Sequence, residues 1–162
     1  MKTIQTGLVL LTLLLSACSS TPETPEPQPK KPVPLPTIIY TKISVSASVN
    51  PDIDNRPSPI VVRIYELKSL GKYTESDFYN LFENHESALG ADLLGTEKFH
   101  LKPGEIHTLK HKASPGTQYI AVAAAYRDLN RAVWRDSIVL PEGKTTQLFV
   151  IVDKLSISVF RK

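Results

Sequence analysis

Hydrophobic and polar residues alternate with a period of two through most of the chain after residue 37. Residues 40–49 set Ile43, Val45, Ala47 and Val49 on one face, with Lys42, Ser44, Ser46 and Ser48 on the other, which predicts a half-buried strand. Ile60–Leu67 predicts a second strand, rich in β-branched residues, after a loop of prolines and aspartates. Residues 96–101 and 105–111 flank the turn signal Lys102-Pro103-Gly104. Residues 119–127 are almost continuously apolar, as a central strand packed on both faces would be. Residues 132–140, 145–152 and 155–160 complete the set, punctuated by Pro141-Glu142-Gly143 and Asp153-Lys154. About eight strands with such turns predict an all-β fold, a two-sheet β-sandwich. One interval departs from it. In residues 76–94, Phe78, Leu81 and Phe82 recur at helical spacing, which predicts a short helical insert capped by Ser76 or Thr74 and limited by Gly90 and Gly95.

Ahead of this domain the pattern changes twice. Lys2 precedes an apolar run, residues 7–15, whose nine residues rise only about 14 Å as a helix. That is well short of a hydrocarbon core of roughly 30 Å, so the run targets rather than spans. Leu15-Ser16-Ala17-Cys18 follows and resembles the bacterial lipobox, with small residues before the cleavage point and the Cys18 thiol as acyl acceptor. The expectation is a lipoprotein signal peptide over 1–17 and acyl chains on Cys18. Two or three such chains, at about 0.8 kcal/mol per buried methylene, hold a protein at a membrane. Ser19 stands where the enterobacterial sorting pattern that this signal resembles uses Asp for inner-membrane retention, so the expected location is the outer membrane, with the domain facing the periplasm. Seven of the 13 prolines fall within residues 18–36. Residues 19–36 predict a polyproline-II tether reaching about 56 Å at 3.1 Å per residue, which leaves residues 37–162 for the sandwich.

Composition narrows the chemistry. A formal charge of +3, from 19 basic and 16 acidic residues without a basic stripe, gives no reason to expect a nucleic-acid partner. Cys18 is the one cysteine, so disulfides, thiol nucleophiles and cysteine metal sites are excluded from residues 37–162. His107 and His111, on one strand, would lie about 13 Å apart, too far for one metal. Like His85 and His100, they are expected to be exposed structural histidines. Gly143-Lys144-Thr145 resembles the tail of a phosphate loop, but Ile138 stands where the motif needs glycine, and a turn with a lysine is the simpler account. Trp134, among Arg127, Arg131 and Arg135, reads as a core residue with arginines on the wet face. Asp128 and Asp136 have no evident partner, so no carboxylate pair for hydrolysis emerges. No catalytic residue, metal or cofactor is expected. Asn50, Pro51, Asp52, Ile53, Asp54, Asn55, Arg56 and Pro57 form a long, proline-stiffened loop with one apolar residue among charges. By its residues it suits an inert connection and a partner-binding loop equally.

A resemblance then enters. The run from Val49-Asn50-Pro51-Asp52 through Arg56-Pro57-Ser58-Pro59 to Arg63-Ile64-Tyr65-Glu66-Leu67-Lys68 is similar to the TssJ family, outer-membrane lipoproteins of type VI secretion systems. Asp77-Phe78-Tyr79-Asn80-Leu81-Phe82, Leu89-Gly90-Ala91-Asp92-Leu93-Leu94, Leu101-Lys102-Pro103-Gly104-Glu105, residues 119–128 and Ala132-Val133-Trp134-Arg135 extend it. The resemblance implies a transthyretin-like sandwich with added helices. It also implies a structural role: binding the periplasmic domain of the inner-membrane protein TssM and anchoring it to the outer membrane, with residues 50–59 in the contact. Where the family often has glycine in mid-loop, this chain has Asn55-Arg56, and asparagine tolerates positive φ as glycine does. The alternative is a periplasmic lipoprotein that binds a small ligand or carries a weak hydrolase site.

Overall fold

The structure, a computed structural model, describes residues 35–162. The expected signal peptide, Cys18 and the expected tether up to residue 34 lie outside the described residues. Eight strands form two four-stranded sheets. They are β1 (Ile38–Val45), β2 (Ile60–Leu67), β3 (Leu93–Leu101), β4 (Ile106–Lys112), β5 (Tyr119–Ala124), β6 (Arg135–Val139), β7 (Thr145–Val152) and β8 (Ile157–Arg161). The first sheet runs β4-β1-β7-β8 and the second β3-β2-β5-β6. Only β1 and β7 pair in parallel; all other pairs within the sheets are antiparallel.

The inward faces close on one apolar core. Ile39 and Ile43 of β1 and Leu148, Val150 and Val152 of β7 meet Val62 and Ile64 of β2 and Ile120, Val122 and Ala124 of β5. This is the face-to-face packing of two sheets that period-two sequences favour. The predicted sandwich is the fold observed, and β2 and β7 keep their predicted limits. Other limits move. β1 ends at Val45, not at residue 49, because the chain bends through Ser46–Ser48, leaving Ala47 exposed while Val49 returns to the core. The apolar run after Tyr119 pairs only as far as Ala124, and β6 starts at Arg135, so residues 125–134 form a connection. Lys102-Pro103-Gly104 turns the chain as expected, with Gly104 at φ 77°, but it carries the chain from one sheet to the other.

The outward face of the second sheet holds a second apolar cluster: Tyr65, Leu67, Ala121 and Ala123 against Tyr73, Leu81 and Leu89. The alanines of β5 leave room for the elements above them. Those elements are three short helices, α1 (Gly71–Glu75), α2 (Phe78–Glu83) and α3 (His85–Leu89), then a 3-10 turn, Gly90–Asp92. The insert therefore begins earlier than residue 76 and ends before Leu93, which pairs with Leu67 as the start of β3. Its cap differs as well. Asp77 accepts from the Asn80 amide at 2.8 Å, while Ser76 and Thr74 hydroxyls donate back to carbonyls of the preceding turn.

Two buried tyrosines and the half-buried Arg135 fasten the insert to the sheet. The Tyr65 hydroxyl donates to the Leu81 carbonyl and the Tyr73 hydroxyl to the Val122 carbonyl, each at 2.7 Å. Arg135 donates to the carbonyls of Tyr73, Thr74 and Ser76 at 2.7–2.9 Å, closing the C-terminal end of α1. Its guanidinium also lies 4.8 Å from the Trp134 ring, which meets Phe78 edge-on. Trp134 is thus packed against both clusters, as expected of a core residue, but Arg135 is structural rather than a wet-face arginine.

Candidate functional site

The loop between β1 and β2 is built by two asparagines and an aspartate. Asn50 is buried at 4% exposure and sits at φ 47°. Its amide nitrogen donates to the Lys154 carbonyl, its Nδ2 to the Pro59 carbonyl at 2.9 Å, and its Oδ1 accepts from the Arg127 amide at 2.8 Å. One residue thus ties the loop to the β5–β6 connection by its side chain and to the β7–β8 connection by its backbone. Tyr126 secures the latter through the carbonyls of Asp153 and Ser156.

Farther out, Asp52 organises the tip. Its Oδ1 accepts from the amides of Asp54 and Arg56, each at 2.9 Å, and its Oδ2 from Arg56 Nε at 2.8 Å. Arg56 also reaches Asp54 at 3.0 Å. The Arg56 backbone amide is the main cause holding the Asp52 carboxyl below its ordinary range. Asn55 turns the chain at φ 60°, a conformation that asparagine and glycine adopt at little cost. Ile53, at the apex, has no neighbour to cover it and is 96% exposed. An apolar side chain held outward by an internally bonded, proline-flanked loop loses little further entropy on binding.

Behind the tip lies an open groove of about 810 Å³, lined by Ile53, Asp52, Arg56, Arg127, Arg131 and Lys154 among others. Sequence reasoning named residues 50–57, of which Pro51, Asp52, Ile53, Asn55 and Arg56 line this groove, while Asn50, Asp54 and Pro57 do not. It missed Arg127, Arg131, Lys154 and Leu155, which lie 70 or more positions away in sequence. Nothing in their local pattern signals a shared surface.

The histidines differ from the expectation of exposed structural residues. Only His100 is exposed. His85 is half-buried, 3.3 Å from Arg63, and burial, then Arg63, lowers its pKa. His107 packs on Phe99 with 5.0 Å between ring centres. His111 bridges the two sheets through Glu66 at 2.8 Å. Glu66 also accepts from the Ser114 amide and the Thr117 hydroxyl. Burial alone would raise the Glu66 pKa, but these donors outweigh it and bring it down to about 2. The Glu66 hydrogen bond in turn raises that of His111. Gly95 makes the room, since a Cβ there would stand 3.3 Å from the Glu66 carboxyl. Asp136 and Asp128, unpartnered in the sequence, have local roles: Asp136 accepts from the Val159 amide and Asp128 pairs with Arg131 at 3.5 Å. Among the described residues no group of three or more His, Asp or Glu side chains is placed to hold a metal ion.

A family model described as type VI secretion lipoprotein, VasD, EvfM, TssJ, VC_A0113 (T6SS-SciN) matches residues 37–155. The chain belongs to the type VI secretion lipoproteins. The crystal structure of the lipoprotein TssJ1 from Pseudomonas aeruginosa is similar at 29% identity and a TM-score of 0.73, over 80% of this chain and 98% of that one. Lip of Serratia marcescens, described as a membrane bound component of the type VI secretion system, is similar at 25% identity and 0.72, over 79% and 99%. A chain of a structure described as a type VI membrane complex shares the fold at 20% identity and 0.66, over 76% and 97%. No curated protein matches the chain significantly in sequence. This type VI secretion lipoprotein has, among its described residues, no helix long and apolar enough to cross a membrane. The TssJ1 and Lip chains are matched almost end to end by about four fifths of this one, and the apolar core is closed entirely by residues from Ile39 onwards.

Proposed function

We propose that this type VI secretion lipoprotein is a structural anchor without catalytic activity, held in the outer membrane by acyl chains on Cys18 and binding the periplasmic domain of TssM through residues 50–57. One observation carries this reading: Ile53 stands 96% exposed on a loop whose hydrogen bonds are satisfied within itself and by Asn50. Held outward by that bonding at the mouth of the groove, the side chain can enter a partner's pocket with little further loss of entropy.

The layout agrees with an anchor under tension. Thr37, where the tether of residues 18–36 meets the domain, is held by the Ala113 amide at 2.9 Å and the Gly143 amide at 2.8 Å. The loop leaves the other end of β1, about 25 Å away along a strand rising ~3.3 Å per residue. Attachment and binding ends are opposite, and the central strand of the first sheet joins them.

Calorimetry of the TssM periplasmic domain against residues 37–162 tests the reading. Replacing residues 52–56 by a Gly/Ser segment is expected to abolish measurable binding while the circular dichroism spectrum stays strand-dominated. Unchanged affinity in the folded variant would move the interface elsewhere. Fatty-acid labelling of cells tests the anchor, with label expected on the wild type and absent from Cys18→Ser.

A further inference from the structure

The two sheets differ on their outward faces. The second is roofed by α1, α2 and α3, whereas the first has no element over it among the described residues. On that bare face Tyr40 is 40% exposed, Phe160 47% and Ile106 62%. Phe160 stacks on Phe149 at 5.5 Å, and Lys110 sits 4.9 Å over the Tyr40 ring. Tyr40, Lys42, Thr108 and Phe149 line a shallow depression of about 240 Å³. The register places Lys42 beside Phe149 and Lys110 beside Tyr40, so cations and aromatic rings alternate across the strands. None of the four strands carries an aspartate or glutamate, while Lys42, Lys110 and Lys112 lie on them with exposed side chains; Arg161 instead reaches the Val139 carbonyl of the other sheet.

We propose that this face rests on an anionic phospholipid surface. Tyrosine and phenylalanine rings flanked by lysines suit a headgroup region, where each ring buries its apolar body and each lysine stem lies along it with the ammonium at phosphate depth. A second copy of the chain is disfavoured as occupant, because two such faces would set lysine against lysine with no carboxylate between them. A bilayer is also the surface that a lipoprotein always has near. Residues 35–37 lead straight into β1, an interior strand of this sheet, so an anchor upstream would present this face at high effective concentration. The contact leaves residues 50–59, at the end of β1, free for a protein partner, and it does not depend on TssM being that partner.

The test uses residues 37–162, free of any lipid, in flotation with phosphatidylcholine vesicles with and without phosphatidylglycerol. Binding is expected only with phosphatidylglycerol and is expected to weaken with added salt. Lys42→Glu with Lys110→Glu is expected to lower the partition coefficient at least tenfold, since each lysine near such a surface is worth about a fivefold change. Lys68→Glu with Lys98→Glu changes net charge equally on other surfaces and is expected to leave most of the binding. Tyr40→Ser with Phe160→Ser is expected to reduce binding several-fold at unchanged charge. Equal partition into both vesicle types, no flotation with either, or equal losses from the two lysine pairs would overturn the proposal. An intact TssM titration beside a failed flotation would leave the proposed function standing and remove only this contact.

Discussion

The insert between β2 and β3 and the loop between β1 and β2 are both long interruptions of a strand pattern, and they solve opposite problems. The insert turns Tyr73, Leu81 and Leu89 down onto the second sheet and is tied to it by buried hydrogen bonds as well. Its Tyr73 hydroxyl ends on a carbonyl of the sheet, and Tyr65 and Arg135 of the sheet end on carbonyls of the insert. The loop turns its one large apolar side chain outward and satisfies its polar groups through its own Asp52 and through Asn50. The insert is bound by the fold, whereas the loop is bound mostly by itself. The difference teaches where to look for function: a segment made rigid without burying its apolar residue is arranged for something outside the chain.

The sharpest break of this contrast is Tyr73→Ala. It removes a fully buried ring and its hydrogen bond, and a loss of about 4 kcal/mol in urea denaturation is expected. A near-neutral result would mean that the insert is not part of the core. Glu66→Ala is expected to cost about 3 kcal/mol, because His111, the Ser114 amide and the Thr117 hydroxyl would lose their shared acceptor between the sheets.

Ile53→Ala should do the reverse. Stability should stay within about 0.5 kcal/mol, as for other exposed sites, while affinity for the TssM periplasmic domain falls by about 2 kcal/mol, or roughly 30-fold. A stability loss with unchanged affinity would invert the roles of loop and insert.

Titration separates the regions further. Above pH 6.5, the ordinary value for histidine, the stability contributed by the raised His111 is lost as pH rises through its folded value. The Glu66 share is complete above its ordinary value of 4.5 and is lost as pH falls towards about 2. Asp52, also lowered, orders the loop above its ordinary value and releases it only on the acid side. Melting temperature should therefore fall on the alkaline side with loop-dependent binding unaffected by Asp52. His111→Asn should remove that alkaline limb. The smallest effect is expected at Asn55. Asn55→Gly should be nearly neutral, whereas Asn55→Val should cost about 1 kcal/mol by forcing a β-branched residue to positive φ.

Much of the fold was legible because a period of two is a local property. Ile60–Leu67 and Thr145–Val152 alternate or run apolar between clear turn residues, and their limits hold. The loop was legible too, since prolines, aspartates and Asn55 write its stiffness and its positive φ into ten consecutive residues. The strand ends at 45 and 124 were not, because apolar residues continue past both and only the absence of a pairing partner stops the ladder. The insert's helices were misplaced for a related reason. Tyr73, the residue that fixes α1, is held by a carbonyl 49 positions away.

The sequence by itself determined the sandwich, the number of its strands and the loop that stands out from it. Each of these follows from the order of apolar, polar and turn-forming residues over spans of about ten. Tertiary structure alone decided that His111 and Glu66 would lock the two sheets, that Arg135 would close α1, and that Arg127, Arg131 and Lys154 would gather behind Ile53. It also decided that, among the described residues, one sheet would be roofed and the other left bare. These are meetings of side chains from distant strands, and their energies come from desolvation and charge at distances that exist only once the sheets have packed.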